Sequence, residues 1–536
     1  MSLSRVCKSL VSFALLPFYT VSIPTITDAQ SRAIERPQTI PALREWTDGI
    51  GSYTFDAQSR IVLNSTAAAQ LHETAEVFAA DLLQLTGLNI PVVITDHVQA
   101  GDIVLRLHET DTPLGNEGYY MDVTEYVTIM AQSVHGVFYG TRTILQLLRQ
   151  SYTTRVGTAR DLPNHPERGL MIDMGRKYFT VSWLESHIRD IAYLKYNYFH
   201  LHLSDNFGFR LESERHPEIV SPQHYTKAEI RALIELARKY HITVVPEIDM
   251  PGHMDTILAA HPELCLTSAT GKQRPGDIDL SKEASYALMK DLLEEYIPLF
   301  PGPYWHIGAD EYLMHDDYAS YPQLLDYAQK HYGPEAIAKD TYLGFVNWAN
   351  EIVKAHGKIT RAWNDGLYGG QAVTVANDIV YEHWYGHGLT PQEIVDLGLY
   401  IMNGNASYLY YVLGHDWHTK PERIYEIFET HIFHDKAPID PLHQKHLGAK
   451  LHVWCDIPDA ETEQQVASGI DSSLRALAQK NWGSDKLVTD YDNFEPIISL
   501  IGRAPGYNIA DTQPIDGAIT ISVSESLAST EENDNA

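Results

Sequence analysis

Two adjacent carboxylates, Asp310 and Glu311, lie one residue after an apolar segment that predicts a buried strand over Tyr304–Gly308. Neighbouring anions in a cleft repel each other and shift each other's pKa. Such a pair suits chemistry in which one carboxyl group holds a proton that the other does not. Because pairs of carboxylates commonly cleave glycosidic bonds, the question is whether the rest of the chain builds a sugar pocket around these two residues.

The elements that would position this pair alternate between short apolar strands and amphipathic helices. Predicted strands occupy residues 169–173, 198–203, 242–248, 304–308, 359–363, 379–384, 400–405 and 451–454. Helical spacing of apolar residues lies between them, at 182–195, 227–240, 285–299, 341–356 and 392–397. Eight successive strand-then-helix units predict an α/β fold, a (β/α)8 TIM barrel. In that architecture the chemistry lies at the carboxyl ends of the strands.

The residues that end these predicted strands are mostly carboxylates, Trp, Tyr and His. In chain order they are Asp173, Ser204-Asp205-Asn206, Glu247 to His253, Asp310-Glu311, Trp363-Asn364-Asp365, His383-Trp384-Tyr385, Tyr408-Leu409-Tyr410 and Trp454-Cys455-Asp456. Flat aromatic walls and hydrogen-bond acceptors are what a neutral polyhydroxylated ligand needs. The predicted rim of the barrel therefore favours a sugar.

The chain of 536 residues is long enough for more than one domain. Residues 30–160 predict a small α+β support domain, with strands at 52–63, 90–94, 102–107 and 119–130 and helices at 73–86 and 137–149. Residues 161–510 then form the predicted catalytic barrel. Residues 511–536 are rich in Ser, Glu, Asp and Asn and predict a poorly ordered tail.

The formal charge of −30 argues against nucleic acid or an anionic membrane as a partner. Residues 1–29 combine two basic residues, an apolar run and small residues at their end, which predicts a cleaved signal peptide and a secreted or extracytoplasmic protein. An N-terminal membrane anchor is the alternative. No later apolar stretch approaches the roughly 18 residues of a spanning helix, and the two remaining cysteines, Cys265 and Cys455, do not suggest a disulfide framework.

Taken together, these strand ends resemble the retaining β-N-acetylhexosaminidases of glycoside hydrolase family 20. The matching pieces occur in the family's order between residues 165 and 500, and the N-terminal unit is similar to the domain that usually precedes the family's barrel. They are Arg168-Gly169, His202 to Asp205, Pro246 to His253, His306 to Glu311, Trp363, Trp384, Tyr408 and Trp454.

The resemblance implies separate tasks for the two carboxylates. Glu311 would be the general acid that protonates the leaving glycosidic oxygen and then the base that activates water. Asp310 would orient the substrate's own 2-acetamido group, whose oxygen attacks C1 and forms an oxazolinium intermediate, an exception among glycosidases. An ionised Asp310 would also raise the pKa of Glu311 to roughly 6, which suits proton donation near neutrality.

The resemblance also assigns the other rim residues. Trp363, Trp384 and Trp454 would form the walls, and Tyr408 would bond the acetamido oxygen. Arg168 would bind the hydroxyls at positions 3 and 4, and Asp456 those at positions 4 and 6. Asp205 and His253 would complete the substrate-binding set by orienting Glu311, and the supporting residues would be His306 behind them and Tyr410 at the rim.

Three departures from the family pattern bear on the substrate. Ala309 stands where the family usually has glycine, Tyr410 where many members have Asp, and Cys455-Asp456 where a Glu ending is commoner. They resemble a subgroup that includes lacto-N-biosidases, which release Gal-β1,3-GlcNAc. Because an arginine on a free 3-hydroxyl disfavours a sugar substituted there, Arg168 favours release of single terminal GlcNAc or GalNAc, and lacto-N-biosidase activity is the alternative.

Two other classes of function are weighed against this reading. The pair His200 and His202 could ligate a metal in a barrel hydrolase, but no further His or Lys with metal spacing follows, so neither a metal nor a cofactor is expected. A catalytically inactive carbohydrate-binding protein would have lost the acid, whereas the carboxylate pair is intact. Asp173 and Asp249 are equally compatible with structural roles. The expected partner is an oligosaccharide or glycoconjugate with a terminal HexNAc; the oligomeric state is left open.

Overall fold

The computed structural model describes residues 36–108, 114–313 and 317–509. The predicted signal peptide at 1–29 and the predicted tail at 511–536 lie outside these residues, and both stay predictions. A sheet-and-helix domain precedes a closed parallel barrel surrounded by helices. Among the described residues, no helix is both long enough and apolar enough to cross a membrane.

The N-terminal domain is a seven-stranded mixed sheet covered by two helices. Its strands are β1 (Glu45–Thr54), β2 (Ile61–Leu63), β3 (Val92–Ile94), β4 (Ile103–Leu107), β5 (Tyr119–Val123), β6 (Val127–Ala131) and β7 (Thr153–Asp161), and its helices are α1 (Ala68–Thr86) and α2 (Val134–Gln150). The strand order is β1-β7-β5-β6-β4-β2-β3. The Ser133 hydroxyl caps the start of α2, and Gly87, with φ +73°, ends α1.

Strand β7 is absent from the sequence-based assignment because its inward residues are small. Gly157 lies under the Trp46 ring, where a Cβ atom would approach the Trp46 Cζ2 atom to 2.4 Å. Alternation of large apolar residues, the usual signal for a strand, is therefore missing. The strand ends at Asp161, whose Oδ2 accepts from the buried Lys195 Nζ at 2.8 Å and so joins this domain to the barrel.

The remaining strands form the barrel, two two-stranded sheets on its loops, and one further strand that pairs with the last barrel strand. They are β8 (Glu167–Asp173), β9 (Tyr198–His202), β10 (Ser204–Asp205), β11 (Gly208–Phe209), β12 (Thr243–Met250), β13 (Cys265–Thr267), β14 (Gln273–Ile278), β15 (Tyr304–Gly308), β16 (Ile359–Trp363), β17 (Val380–His383), β18 (Ile401–Asn403), β19 (Tyr410–Val412) and β20 (His446–Trp454). The barrel order is β8-β9-β12-β15-β16-β17-β18-β20, and β20 pairs with β8 to close it. All eight predicted barrel strands are confirmed.

Helices follow the strands and pack outside the barrel. They are α3 (Val181–Tyr193), α4 (Lys227–Lys239), α5 (Asp255–Ala260), α6 (Glu283–Tyr296), α7 (Pro322–Tyr332), α8 (Ala338–Ala355), α9 (Pro391–Asp396), α10 (Ala406–Leu409), α11 (Pro421–Glu426), α12 (Glu463–Trp482) and α13 (Tyr491–Ile501). Helices α4, α9 and α12 each begin with a capping box, in which a Thr hydroxyl and a Glu or Gln side chain bond each other's backbone N–H.

The barrel interior is charged below the candidate site. Arg361 donates to Glu167 at 2.8 Å and to Glu382 at 2.6 Å, and all three side chains are buried. Lys450 also pairs with Glu382, and its Nζ lies 2.6 Å from the Nδ1 atom of His200. Buried charges are tolerated only when they are paired, so these side chains constrain one another's positions beneath the carboxyl end of the barrel.

Candidate active site

A pocket with a cavity volume of about 160 Å³ lies at the carboxyl ends of the barrel strands. Its lining residues are Arg176, His253, Asp310, Glu311, Trp363, Trp384, Tyr410, Val412, Trp417, Trp454 and Asp456. A wider cavity of about 450 Å³ lies where strands β8, β9 and β12 begin, against the N-terminal domain. We place the candidate site in the smaller pocket because it contains the adjacent carboxylates and the aromatic walls.

Both carboxylates face this pocket because the backbone leaves the strand in a left-handed conformation. Successive strand residues point to opposite faces, but Gly308, Ala309 and Glu311 have φ values of +71°, +73° and +51°. Consequently Asp310 Oδ2 and Glu311 Oε2 lie 3.6 Å and 3.1 Å from the same atom, Nε2 of His253. A left-handed backbone costs of order 1–3 kcal/mol at each non-glycine residue, so neighbouring groups must hold it.

Asp365 is one of these neighbouring groups. Its Oδ2 accepts from the backbone N–H of Glu311 at 3.0 Å, and its Oδ1 accepts from Trp384 Nε1 at 3.1 Å. The Tyr342 hydroxyl donates to the carbonyl oxygen of Ala309. Asp365 therefore fixes the acid-bearing turn and one aromatic wall relative to each other.

A chain of side chains leads from Glu311 away from the pocket. His253 Nδ1 lies 3.3 Å from Asp205 Oδ1, and Asp205 Oδ2 lies 2.8 Å from His202 Nε2 and 3.1 Å from an Arg176 nitrogen. Burial would lower the pKa of His253, but Asp205 and Asp310 raise it well above its usual range. His253 is therefore protonated near neutral pH and can bond Glu311 and Asp205 at the same time.

The electrostatics of the carboxylate pair differ from the sequence-based expectation. Burial raises the pKa of Asp310 to about 7, and Asp365 and Glu311 add to the effect. The hydrogen bond from His253 lowers the pKa of Glu311. In the free site Asp310 is therefore only partly ionised near neutral pH, and the expectation of a raised Glu311 pKa is wrong. The reason is that Asp310 is the more deeply buried carboxylate, while Glu311 is closest to the imidazolium.

Aromatic side chains close the pocket on several sides. The ring centroids of Trp363 and Trp454 are 5.8 Å apart, and Trp384 stacks on Tyr410 with 5.9 Å between centroids and 8° between planes. Trp363 and Trp454 are almost fully buried, whereas Trp417 is 45% exposed. These faces offer apolar surface to a sugar ring while the carboxylates remain accessible from the pocket.

The floor of the pocket is held by Glu247. Its Oε1 accepts from Trp363 Nε1 at 2.8 Å, and its Oε2 lies 2.6 Å from His202 Nδ1 and 2.9 Å from His200 Nε2. Burial would raise the pKa of Glu247, but His202 and His306 lower it well below its usual range. The pair His200 and His202 thus shares one anion.

His200, Glu247 and His306 are close enough to hold a metal ion. However, Lys450 Nζ lies 2.6 Å from His200 Nδ1, and a second cation beside that ammonium would be repelled. His306 Nδ1 is 3.0 Å from Glu247. The structure therefore places His306 below the floor of the pocket, as a support for Glu247, and favours the ion-pair interpretation of this cluster.

The prediction that Arg168 lines the sugar pocket is wrong. Arg168 lies near the amino end of β8, where it donates to Glu117 at 2.8 Å through both terminal nitrogens and is 1% exposed. Because residues at the two ends of a strand are separated by the length of the barrel, it cannot reach the carboxylates. Arg176, three residues after β8 ends at Asp173, is the arginine in the pocket wall.

The position of Arg176 is fixed by carboxylates. It donates to Asp173 Oδ2 at 2.9 Å, and it lies 3.1 Å from Asp205 and 3.8 Å from Asp456. Burial would lower the pKa of Arg176, but Asp205 and Asp173 raise it further above its usual range. Its guanidinium lies 5.4 Å from the Trp454 ring. Asp173 thus has a structural partner, and Asp456 stands at the pocket rim beside Arg176.

The prediction that Tyr408 lines the pocket is also wrong. Tyr408 lies in the short helix α10 and contacts Phe428 at 5.5 Å between centroids, with the Arg423 guanidinium 4.8 Å from its ring. Tyr410, the first residue of β19, faces the pocket instead. The helix ends between the two tyrosines and turns Tyr408 outward. If residues 408–410 had formed one strand, both tyrosines would have faced the same side.

Sequence reasoning placed Asp310, Glu311, His253, Trp363, Trp384, Tyr410, Trp454 and Asp456 at one pocket, and the structure brings these eight together. Asp205 lies behind His253. The residues it did not assign to the site are Arg176, Asp365 and Trp417. The position of Arg176 just after a strand end was an available signal, whereas Trp417 follows β19 in a loop that no periodicity identifies.

Comparison with known proteins agrees with this architecture. Residues 165–484 match the model of the glycosyl hydrolase family 20 catalytic domain, and residues 36–162 match the model of domain 2 of the same family. A lacto-N-biosidase of Bifidobacterium bifidum is 31% identical over 490 residues, which is 91% of this chain and 43% of that protein. A β-hexosaminidase of Porphyromonas gingivalis is 28% identical over 365 residues, 62% of this chain and 46% of that protein.

Solved structures share the fold. A β-N-acetylhexosaminidase from Streptomyces coelicolor superimposes with a TM-score of 0.70 at 25% identity, covering 89% of this chain and 98% of that one. An exo-β-N-acetylglucosaminidase from Vibrio harveyi gives a TM-score of 0.72 at 23% identity, covering 86% and 77%. This chain spans less than half the length of the two relatives compared by sequence above. The match of both domain models, over 36–162 and 165–484, shows that the chain belongs to glycosyl hydrolase family 20.

Proposed function

We propose that this protein is a retaining exo-β-N-acetylhexosaminidase that releases terminal β-linked GlcNAc, or GalNAc, by substrate-assisted catalysis. The observation that carries the proposal is the placement of Asp310 and Glu311 on one imidazole at the base of a small aromatic pocket. The pocket volume of about 160 Å³ lies below the several hundred Å³ of typical small-molecule sites, which supports a single buried sugar ring.

The first chemical step breaks the bond between C1 and the glycosidic oxygen. The carbonyl oxygen of the substrate's acetamido group attacks C1, and the Glu311 carboxyl group transfers its proton to the departing oxygen. In the second step the Glu311 carboxylate takes a proton from water, whose oxygen attacks C1 and opens the oxazolinium ring. The sugar is released with its original anomeric configuration, and the acid returns to its starting state.

Asp310 supports this sequence through an atom that has no partner of its own. Its Oδ1 is buried and makes no hydrogen bond within the described part of the chain. The acetamido N–H would supply that bond, and a hydrogen bond to the charged form lowers a carboxyl pKa. Binding of substrate would therefore shift Asp310, with a pKa of about 7 in the free site, toward the anion that stabilises the positive oxazolinium.

The proton that Glu311 delivers can come from its neighbour. His253 carries a proton between Asp205 and Glu311, 3.1 Å from the Glu311 Oε2 atom. When an alcohol leaving group displaces water above Glu311, desolvation favours the neutral carboxyl group. Transfer from His253 to Glu311 would then prepare the acid, and Asp205 would hold the imidazole in place.

Arg176 and Asp456 bear on which sugar is released. They lie together on the pocket wall beside Trp454, where a guanidinium can donate to ring hydroxyls and a carboxylate can accept from them. An arginine bound to a free 3-hydroxyl leaves no room for galactose on that oxygen. This arrangement favours a single terminal sugar over a disaccharide product.

Lacto-N-biosidase activity is the second candidate, because a lacto-N-biosidase is 31% identical over 91% of this chain. It would require the wall at Arg176 to open toward a second sugar. An inactive carbohydrate-binding protein is the candidate from another class, and it would hydrolyse none of the test glycosides. A metal-dependent hydrolase is a further alternative, and it would lose turnover in EDTA. The assays below, repeated in the presence of EDTA, separate all of these candidates.

The test compares the p-nitrophenyl glycosides of β-GlcNAc, β-GalNAc and lacto-N-biose as substrates for wild type and Glu311→Gln. We expect the GlcNAc glycoside to be hydrolysed fastest and the variant to lose turnover by about a hundredfold or more, as for loss of a general acid. Glu351→Gln, at a side chain that is 70% exposed on α8, is the matched control and should retain wild-type rates.

Near-normal turnover by Glu311→Gln would contradict the assignment of Glu311 as the general acid. If the lacto-N-biose glycoside were hydrolysed faster than the β-GlcNAc glycoside, the result would favour lacto-N-biosidase activity instead. Asp310→Asn should also be severely impaired, and a thiazoline that mimics the oxazolinium should inhibit wild type competitively. Absence of that inhibition would argue against participation of the acetamido group.

A further inference from the structure

Two copies of one tripeptide lie side by side outside the candidate active site. His216-Pro217-Glu218 and His261-Pro262-Glu263 each start a short 3-10 helix with proline at its first position. The two histidines have nearly the same backbone, with φ and ψ of −131° and 62° at His216 and −126° and 58° at His261. The repeated motif therefore presents two imidazoles from two different barrel loops.

Both imidazoles meet at one carboxylate oxygen. His216 Nδ1 and His261 Nε2 each lie 3.0 Å from Glu218 Oε1. Ligands bound tetrahedrally to zinc at 2.0–2.1 Å are separated from one another by about 3.3 Å. Only a small outward movement of these three side chains would therefore be needed to place a metal ion between them, and they are close enough to share one.

The second nitrogen of each imidazole also faces a carboxylate. His216 Nε2 lies 3.3 Å from Asp291 Oδ2, and His261 Nδ1 lies 3.6 Å from Glu263 Oε1. Asp291 is itself held by Arg215 at 3.0 Å. A histidine that binds a metal almost always donates its other N–H to such a carboxylate or to a carbonyl, which fixes the tautomer. This pattern is independent of the distances around Glu218 and points to the same ligand.

From these contacts we propose that His216, Glu218 and His261 form a zinc site that joins the loops after the second and third barrel strands. Imidazole and carboxylate ligands suit Zn²⁺ among biological divalent cations better than they suit Mg²⁺ or Ca²⁺. On binding, each neutral imidazole gives its metal-facing nitrogen to the ion and holds its proton on the nitrogen that faces Asp291 or Glu263. Water completes the coordination.

The site would act on the rigidity of the loops. The half-buried side chains of His216 and His261 are 17% and 22% exposed, so the ion can enter from solvent. The two loops also carry Asp205 and His253, the residues behind Glu311. The site shares no residue with the pocket, so its existence does not depend on the proposed hydrolytic function.

Calorimetric titration of tag-free, EDTA-treated protein with zinc chloride tests the proposal. We expect one equivalent to bind, and His216→Ala or His261→Ala to weaken binding at least tenfold. Asp291→Asn, which changes only the outer carboxylate, should weaken it about tenfold. His224→Ala is the matched control, because His224 lies on the same loop as His216 but bonds the Ser221 carbonyl, and it should bind as wild type does.

Two further measurements need no comparison of variant stabilities. Cobalt(II) added to wild type should give the intense visible bands of a four-coordinate site, and zinc should abolish them. Zinc should also raise the melting temperature of wild type, since a ligand that binds only the native state stabilises it. The proposal is overturned if wild type takes up no stoichiometric zinc, or if the variant that lacks both histidines binds zinc with unchanged affinity.

Discussion

Arg168 and Arg176 offer a matched pair of substitutions that separates folding from substrate binding. Each has a guanidinium held by carboxylates, and they stand near opposite ends of the first barrel strand. If Arg176 binds sugar hydroxyls, replacing it with glutamine removes a charge-assisted hydrogen bond from the transition state. If Arg168 is structural, its replacement acts only on the folded state.

The magnitudes follow from the contacts. A hydrogen bond from a charged group is worth about 1.5–3 kcal/mol, so Arg176→Gln should lower kcat/KM by about 10- to 150-fold. Arg168 makes two bonds of 2.8 Å to Glu117 with side-chain exposures of 1% and 13%. Breaking such a buried pair costs about 3–5 kcal/mol, so Arg168→Gln should lower the free energy of unfolding by that amount.

The assay combines urea unfolding with initial rates on p-nitrophenyl β-GlcNAc at several substrate concentrations. Rates are corrected for the folded fraction, so a loss of stability is not counted as a loss of catalysis. The reasoning is refuted if Arg176→Gln has the wild-type kcat/KM, or if folded Arg168→Gln loses more than tenfold. A relative gain on the lacto-N-biose glycoside in Arg176→Gln would further support its role at the 3-hydroxyl.

Two other predictions concern the charged groups in and below the pocket. Asp310 has a folded-state pKa raised to about 7, so its contribution to stability declines as pH rises from about 4 to 7. Asp310→Asn should therefore be inactive, yet at pH 8 its free energy of unfolding should exceed that of wild type by about 3 kcal/mol. This difference should shrink toward pH 4. Chemical denaturation at these pH values measures it, and equal stabilities throughout would contradict the raised pKa. Glu247→Gln keeps the shape but removes the anion shared by His200 and His202, so unfolding free energy should fall by about 3–5 kcal/mol. Trp363, which bonds the same carboxylate, should change its fluorescence; an unaltered stability and spectrum would show that the charge is not needed.

The contacts of Glu247 also explain why the pair His200 and His202, whose spacing could suit a metal ion, is better described as part of an ion-pair cluster. His200 and His202 share a strand face, as their spacing predicts, and each has a ring nitrogen within 3 Å of the Glu247 carboxylate. That carboxylate also accepts from the pocket-floor Trp363. A metal site and an ion-pair cluster would use the same residues. The ammonium group of Lys450 lies beside His200 and favours the ion-pair cluster, although the two residues are 250 positions apart in the sequence.

Much of the fold could be predicted because strand and helix signals in this chain are local. Runs such as Ile359–Trp363 and the capped helix Lys227–Lys239 contain their own hydrophobic pattern and end signals. Strand β7, with small inward residues beneath Trp46, has no such pattern. It is held by pairing with β1 on one side and β5 on the other, which is a tertiary effect.

The sequence by itself determined that carboxylates and aromatic residues gather at one end of a barrel. Local residue patterns predict where each strand ends, and the carboxyl ends of parallel barrel strands lie at the same edge. Only the tertiary structure decided which neighbours of those ends face inward. The left-handed turn at Ala309 and Glu311 brings two successive carboxylates to one pocket, and helix α10 turns Tyr408 out and Tyr410 in. Burial and the position of His253 then decided which carboxyl group has the higher pKa, because pKa values depend on distances between groups remote in the chain.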